Sequence, residues 1–141
     1  MVGQASVARA ETTSAEPGGR IGNIVLWVVQ VVLALVFAGS GISKLAGDGS
    51  MVDMFADIGI GQWFRYLTGA IEIVLAGAIL VPRACGLAAA GMAAVMVGAI
   101  IATLARLDDP IWVPLILLIV AAGVAFARWP RTRRLLDRST R

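Results

Sequence analysis

The sequence predicts an all-α membrane protein: a four-transmembrane-helix antiparallel bundle with a short amphipathic helix between spans 1 and 2. Apolar residues make up 59% of the 141 residues and charged residues only 15%, whereas a soluble domain carries about 25% charged residues. The charged residues separate four apolar blocks. Within each block apolar residues occupy every side instead of alternating, which excludes a β-barrel. The lipid bilayer is therefore the first expected partner.

The apolar blocks also predict the domain organisation. Residues 1–20 are rich in serine, threonine, alanine and glycine, and they predict a disordered N-terminal tail because little in them could pack. Residues 21–130 are expected to form the four-helix membrane domain, and residues 131–141 a basic C-terminal tail.

The four spans follow from the apolar blocks and from proline. They are expected at 21–42, 66–82, 84–104 and 111–127. The first and third reach the length of about 20 residues that a membrane-crossing helix needs, and the other two are shorter. Pro82 is expected to end the second span and Pro130 the fourth, because proline cannot donate a helical hydrogen bond.

The segment between the first two spans predicts an amphipathic helix. Apolar residues recur there at helical spacing, and Asp53 and Asp57 lie four residues apart on the other face. Such a helix lies in the membrane interface or caps the bundle; the alternative is an ordinary connecting loop. Gly59 and Gly61 should end it. An aromatic belt should then precede span 2, formed by Trp63, Phe64 and Tyr66.

The basic residues predict the orientation in the membrane. With four spans, nine of them share one side and three the other. The nine are Arg9, Arg20, Arg83, Arg128, Arg131, Arg133, Arg134, Arg138 and Arg141, and the three are Lys44, Arg65 and Arg106. The positive-inside rule then predicts a multi-pass cell-membrane protein with both termini in the cytoplasm. Because the basic residues flank apolar spans, nucleic acid is not an expected partner.

The sequence offers little catalytic chemistry. It has no histidine and a single cysteine, Cys85, so the commonest metal ligand, the usual general base and any disulfide within the chain are missing. No catalytic residue, cofactor or metal is therefore expected, which argues against an enzyme. Asp108 and Asp109 could contact a cation, but Asp109 is more readily explained as the cap of span 4.

Glu72 is the main candidate for a functional residue. It lies inside span 2, where a carboxylate costs about 2–3 kcal/mol and should have a partner. Lys44, at the outer end of span 1, is at a similar depth. Thr68 and Ser40 could add hydrogen bonds. Two interpretations stay open: a proton-binding or ligand-binding site, and a buried ion pair that fixes the register of the helices.

Other residues inside the spans predict helix contacts. Gln30 is better explained as a hydrogen-bonding link between helices than as a quinone ligand. Small residues recur on spans 2 and 3 and predict close helix packing, either within the bundle or between protomers. They are Gly69, Gly77, Ala90, Ala94, Gly98 and Ala102.

Three of these segments together resemble the DoxX family. Residues 38–45, AGSGISKL, look like its G-x-x-K-L segment, and residues 51–61 are similar to its connecting helix. The run from Gly69-x-x-Glu72 to Gly77-x-x-Leu80-x-Pro82 resembles its second-span signature. The resemblance covers about residues 21–130 and implies a four-helix membrane protein, often a small subunit of quinone-dependent or redox enzymes. It also implies Lys44 and Glu72 as the matching polar positions.

The leading functional hypothesis is therefore a small DoxX-like integral membrane protein acting as a non-catalytic subunit of a quinone-linked or redox membrane assembly. Its partners would be membrane oxidoreductase subunits or further copies of itself. Two alternatives remain: a small proton-coupled membrane transporter that uses Glu72, and a structural or assembly factor.

Overall fold

The computed structural model describes residues 17–106 and 110–139, and its regular elements are all helices. The five helices are α1 (Pro17–Ala46), α2 (Gly49–Ile58), α3 (Gln62–Ala78), α4 (Cys85–Arg106) and α5 (Trp112–Ser139). The all-α class predicted from the sequence is confirmed for these residues. Residues 1–16 of the tail expected at 1–20 lie outside the described residues, and residues 17–20 belong to α1. The Asp108–Asp109 pair also lies outside the described residues.

Three helices are long and apolar enough to cross a membrane. The qualifying segments are Gly19–Ala46, Cys85–Ala105 and Trp112–Arg134. Helix α3 has 17 residues, or about 26 Å at 1.5 Å per residue, and is not among them. Length and composition therefore support three of the expected spans and leave the four-span bundle unconfirmed.

The helices form two packed pairs around a shared apolar core. Helix α1 packs mainly against α3, and α4 mainly against α5, while α2 contacts α1, α3 and α4. The core draws on both pairs, with Leu33 and Phe37 from α1, Met92 from α4 and Val124 from α5. Ile79, just after α3, is fully buried in it.

The outer surface of the bundle is also apolar. Leu35, Val74, Leu104 and Ile119 each expose more than half of their surface, and Phe126 is 82% exposed. Large exposed apolar surfaces are rare on soluble monomers. Here they occur on α1, α3, α4 and α5, as expected of helices surrounded by lipid.

Helix α2 is the amphipathic helix expected from the sequence. Phe55 is buried, while Asp53 and Asp57 are exposed. Gly59 ends the helix with a φ of 77°, and its N–H approaches the carbonyls of Phe55 and Ala56 at 3.4 and 3.1 Å. The left-handed conformation that this ending needs is easiest for glycine. The alternative of an ordinary loop is therefore wrong.

Helix α3 begins and ends four residues earlier than the expected span 66–82. It starts at Gln62, directly after Gly61, whose φ is 105°. It ends at Ala78, before two turn hydrogen bonds, from Leu80 N–H to the Gly77 carbonyl and from Val81 N–H to the Ala78 carbonyl. Pro82 therefore follows a turn instead of ending the helix. The expected aromatic belt, Trp63, Phe64 and Tyr66, lies within the first turns of α3 and not before it.

The expectation that Pro130 ends the fourth helix is wrong, because α5 continues through it to Ser139. Proline removes one backbone hydrogen bond, the one that the Phe126 carbonyl would accept. Packing offsets that loss: Thr132 is buried, and it lies so close to Gly86 that a Cβ there would collide with its hydroxyl. Most of the expected basic tail is thus the last part of α5.

Candidate functional site

The candidate site begins with a close contact between α1 and α3. A Cβ added to Gly41 would lie 2.8 Å from the carbonyl oxygen of Gly69, and a Cβ added to Gly69 would lie 3.1 Å from the carbonyl oxygen of Gly41. The two backbones can approach this closely only because both residues lack side chains. A Cβ on Gly69 would lie 3.0 Å from the Cβ of Lys44, and one on Gly41 would lie 3.3 Å from the Cβ of Glu72. In these antiparallel helices Lys44 therefore lies beside Gly69 and Glu72 beside Gly41, so that the two side chains start next to the glycine contact.

The expected ion pair between Lys44 and Glu72 is present. The Nζ of Lys44 lies 2.9 and 3.0 Å from the two carboxylate oxygens and 2.6 Å from the Oγ of Ser40. The side chains are only 11% and 4% exposed. An ammonium group has three donors, and here they meet three acceptors. Both carboxylate oxygens of Glu72 accept hydrogen bonds from this same lysine.

Arg65 is a third charged residue at this site, and sequence reasoning placed it only among the charges outside the membrane. It is 3% exposed. Its guanidinium donates to the backbone carbonyl of Lys44 and, at 2.8 Å, to the Oε1 of Gln62. It also lies 4.3 Å from the ring centre of Tyr66. The signal for its burial was its position seven residues before Glu72, two turns along the same helix face.

Arg65 is buried because its guanidinium donates to a backbone carbonyl at the C-terminal end of α1. Gly47, with a φ of 76°, ends that helix, and the N–H of Asp48 donates to the carbonyl of Ser43 at 3.2 Å. The carbonyls of a last helical turn lack intrahelical partners and carry partial negative charge. The Lys44 carbonyl is one of them, and the guanidinium of Arg65 supplies its partner.

Thr68 does not join the pair as expected. Its hydroxyl donates to the backbone carbonyls of Phe64 and Arg65, at 3.0 and 3.1 Å. Threonine inside a helix commonly bonds back to the preceding turn in this way. Ser40, in contrast, contacts Lys44.

Gln30 belongs to a second polar cluster, in the N-terminal half of α1. It is 2% exposed, and its Oε1 accepts from the Nη2 of Arg128 at 3.4 Å. The Nη1 of Arg128 donates to the Oδ1 of Asn23 at 2.9 Å. Gln30 therefore links α1 to α5. Arg128 is itself only 4% exposed, although the sequence indicated a charge outside the membrane.

One comparison with known proteins assigns the family. The sequence model of the DoxX-like family matches residues 28–124, which is more than half of the chain and includes the Lys44–Glu72 pair. The chain belongs to the DoxX-like family. No curated protein and no solved structure matches it.

The small residues of this DoxX-like protein pack differently from the prediction. Gly69 lies in the close contact described above, but Gly77 and Gly98 have open space around them. Ala90 and Ala94 are exposed and Ala102 is half-buried. For Gly77, Ala90, Ala94 and Gly98 the prediction of close packing within the bundle is therefore wrong. Contact of these residues with another protomer stays a prediction. On α4, Gly86 and Gly91 make the close contacts instead, with Thr132 and Leu75.

The arrangement at Lys44 and Glu72 suits holding helices together. In the ranges that the structure describes, no group of three or more histidine, cysteine, aspartate or glutamate side chains could hold a metal ion. Cys85 is buried as a free thiol. The charged groups of the DoxX-like site are matched to acceptors within it, so the geometry fixes the relative position of α1 and α3.

Proposed function

We propose that this DoxX-like protein is a non-catalytic, four-span subunit of a quinone-linked or redox membrane assembly. The observation that supports the non-catalytic part is the buried ion pair, in which the ammonium of Lys44 lies within hydrogen-bond distance of three acceptors and each oxygen of Glu72 has a partner. The redox partner is supported by the family resemblance of the site-bearing segments.

The buried ion pair favours a structural role for Glu72 over proton-coupled transport. A carrier carboxylate must exchange its partner for a proton or a substrate during each cycle. Glu72 is held by a lysine from the neighbouring helix, directly beside a backbone contact that leaves no room for a side chain at Gly41. Removing the lysine would leave a buried charge, which is strongly unfavourable. Transport through Glu72 therefore remains the alternative outcome of the test below.

The position of α3 supports four spans despite its length. It exposes Leu67 and Val74, as the three longer helices expose their apolar side chains. It meets α1 at Gly41, and Ile79 after its end shares a cavity with Trp27. Those two α1 positions are about 21 Å apart along the helix axis. α3 and the turn that follows it therefore run beside at least about 21 Å of α1, against a hydrocarbon core of about 30 Å.

Cysteine labelling tests the four-span topology with both termini in the cytoplasm. In a Cys85→Ala background, a membrane-impermeant maleimide should label Ser50→Cys in intact cells. It should label Ser139→Cys only after the cells are permeabilised. The expectation rests on the excess of basic residues at the end that carries the termini. Labelling of Ser139→Cys in intact cells would contradict it.

Copurification tests the proposed assembly. Extracted in mild detergent at native expression level, the protein should elute with a membrane oxidoreductase, detected by mass spectrometry and by quinone-reductase activity. Ala94 is exposed on a face of small residues that would allow a close approach by another chain. Ala94→Trp should therefore lower the yield of the partner. The matched control is Ala70→Trp, an exposed position on α3.

The other outcomes separate the alternatives. A partner without redox activity would replace the redox proposal with a structural or assembly role. Proton-coupled uptake in proteoliposomes that is lost in Glu72→Gln would replace it with a carrier, because the amide keeps the shape of the side chain but cannot titrate. Elution without any partner, in both wild type and Ala70→Trp, would contradict a subunit role.

A further inference from the structure

Arg128 has unfilled hydrogen-bonding capacity although it is buried. It is 4% exposed, and its Nε is buried without a partner in the part of the chain that the structure describes. A guanidinium has five N–H donors. The recorded bonds are those to Asn23 at 2.9 Å and to Gln30 at 3.4 Å, the second of which is long.

The charge of Arg128 also lacks a counter-ion among the described residues. Both of its acceptors are amide oxygens, and no described carboxylate forms an ion pair with it. Arginine does not deprotonate in proteins. A buried charge without a counter-ion strongly destabilises the folded state. The burial of this guanidinium therefore indicates an anion that the described residues do not supply.

A cavity beside Arg128 has room for such an anion. Its volume is about 110 Å³, far above the roughly 15 Å³ that one water molecule needs. It lies between α1, the turn before α4, and α5, and its lining includes Trp27, Gln30, Pro82, Cys85, Arg128 and Arg131. The two charged lining residues are both arginines. Cys85 begins α4, so the start of that helix borders the cavity.

We propose that this cavity binds a phosphate-type anion through Arg128 and Arg131. The planar guanidinium fork matches phosphate oxygens and forms short, strong hydrogen bonds with them. Trp27 and Trp129 are partly exposed at this end of the bundle, as tryptophans at a membrane interface are. Basic pockets between spans on the cytoplasmic side suit anionic headgroups. The phosphodiester of an anionic phospholipid fits best, and inorganic phosphate is a second source of the same chemistry.

The anion cavity and the ion pair are separate sites. Gln30 lines the cavity and Lys44 forms the pair, and the two positions are about 21 Å apart along α1. The cavity therefore does not depend on the proposed redox assembly, and the failure of one proposal leaves the other in place.

Thermal unfolding of the full chain in a neutral detergent tests the proposal. The unfolding midpoint would be followed while dihexanoyl phosphatidylglycerol, dihexanoyl phosphatidylcholine or inorganic phosphate is added at constant ionic strength. Phosphatidylglycerol should raise the midpoint saturably, because a ligand that binds only the folded state stabilises it. Phosphatidylcholine should not. A rise with inorganic phosphate as well would add soluble phosphate as a source.

Matched variants show whether the arginines form the site. Arg128→Gln should abolish the saturable rise. Arg131→Gln, at an exposed position that leaves folding intact, should weaken the apparent affinity for phosphatidylglycerol by roughly tenfold. Arg83→Gln removes the same charge from the neighbouring turn, outside the cavity lining, and should leave the affinity unchanged. No rise with either phosphate source, or an equal loss in Arg83→Gln, would overturn the proposal.

Discussion

Glu72→Ala should lower the free energy of unfolding by about 3–5 kcal/mol, the range measured when one partner of a buried ion pair is removed. The substitution leaves the ammonium of Lys44 with Ser40 as its remaining side-chain acceptor, in a position where its side chain is 11% exposed. Unfolding in mixed micelles with increasing mole fraction of sodium dodecyl sulfate would measure the change.

Three further variants show whether the effect belongs to the pair. Asp57→Ala removes a carboxylate from an exposed position on α2 and should change stability by less than about 0.5 kcal/mol. Glu72→Gln keeps an acceptor for Lys44 and should destabilise less than Glu72→Ala. The double variant Lys44→Met/Glu72→Leu should recover most of the loss, because apolar side chains of similar volume often replace a buried pair without penalty. A double variant as unstable as Glu72→Ala would show that the pair is not the cause.

Gly41→Ala should destabilise the protein by about 1–3 kcal/mol, the usual cost of an extra group in a packed contact. The new Cβ would lie 2.8 Å from the carbonyl oxygen of Gly69 and 2.8 Å from the Cγ1 of Ile73. A backbone carbonyl cannot move aside as a flexible side chain can, so α1 and α3 must separate. The same unfolding titration would measure the loss.

Gly39→Ala is the matched control for that prediction. It lies two residues away on the same helix, and nothing lies within 4 Å of a Cβ built there. Alanine is the better helix former by about 1 kcal/mol, so Gly39→Ala should be neutral or stabilising. Equal effects of the two substitutions would contradict the close contact between α1 and α3.

The glycine contact and the ion pair both hold α1 against α3. The glycine contact sets the distance between α1 and α3, and the ion pair beside it sets their register. Separating the helices at Gly41 should also lengthen the distance between Lys44 and Glu72. Gly41→Ala and Glu72→Ala should therefore be less than additive when combined, as neighbouring substitutions in one network commonly are.

Local sequence patterns determined the class and several elements of this protein. Apolar composition predicted helices for a membrane, and helical periodicity with a terminal glycine predicted α2 and its end at Gly59. The cost of a carboxylate within an apolar span predicted that Glu72 has a partner, and the antiparallel order of the first two spans indicated Lys44. Each of these inferences depends on the residue itself and its near neighbours along the chain.

Only the tertiary structure decided which faces pack and which charges are buried. The spacing of Ala90, Ala94 and Gly98 defines a face of α4, yet the neighbouring helices cover the face of Gly86 and Gly91. Sequence reasoning placed both Arg65 and Arg128 among the charges that flank the spans. Arg65 is buried because the end of α1 lies beside it. Arg128 is buried because Asn23 and Gln30 lie beside it. Likewise, α5 passes Pro130 where Thr132 packs on Gly86. Burial depends on where distant segments lie, and no local pattern contains that information.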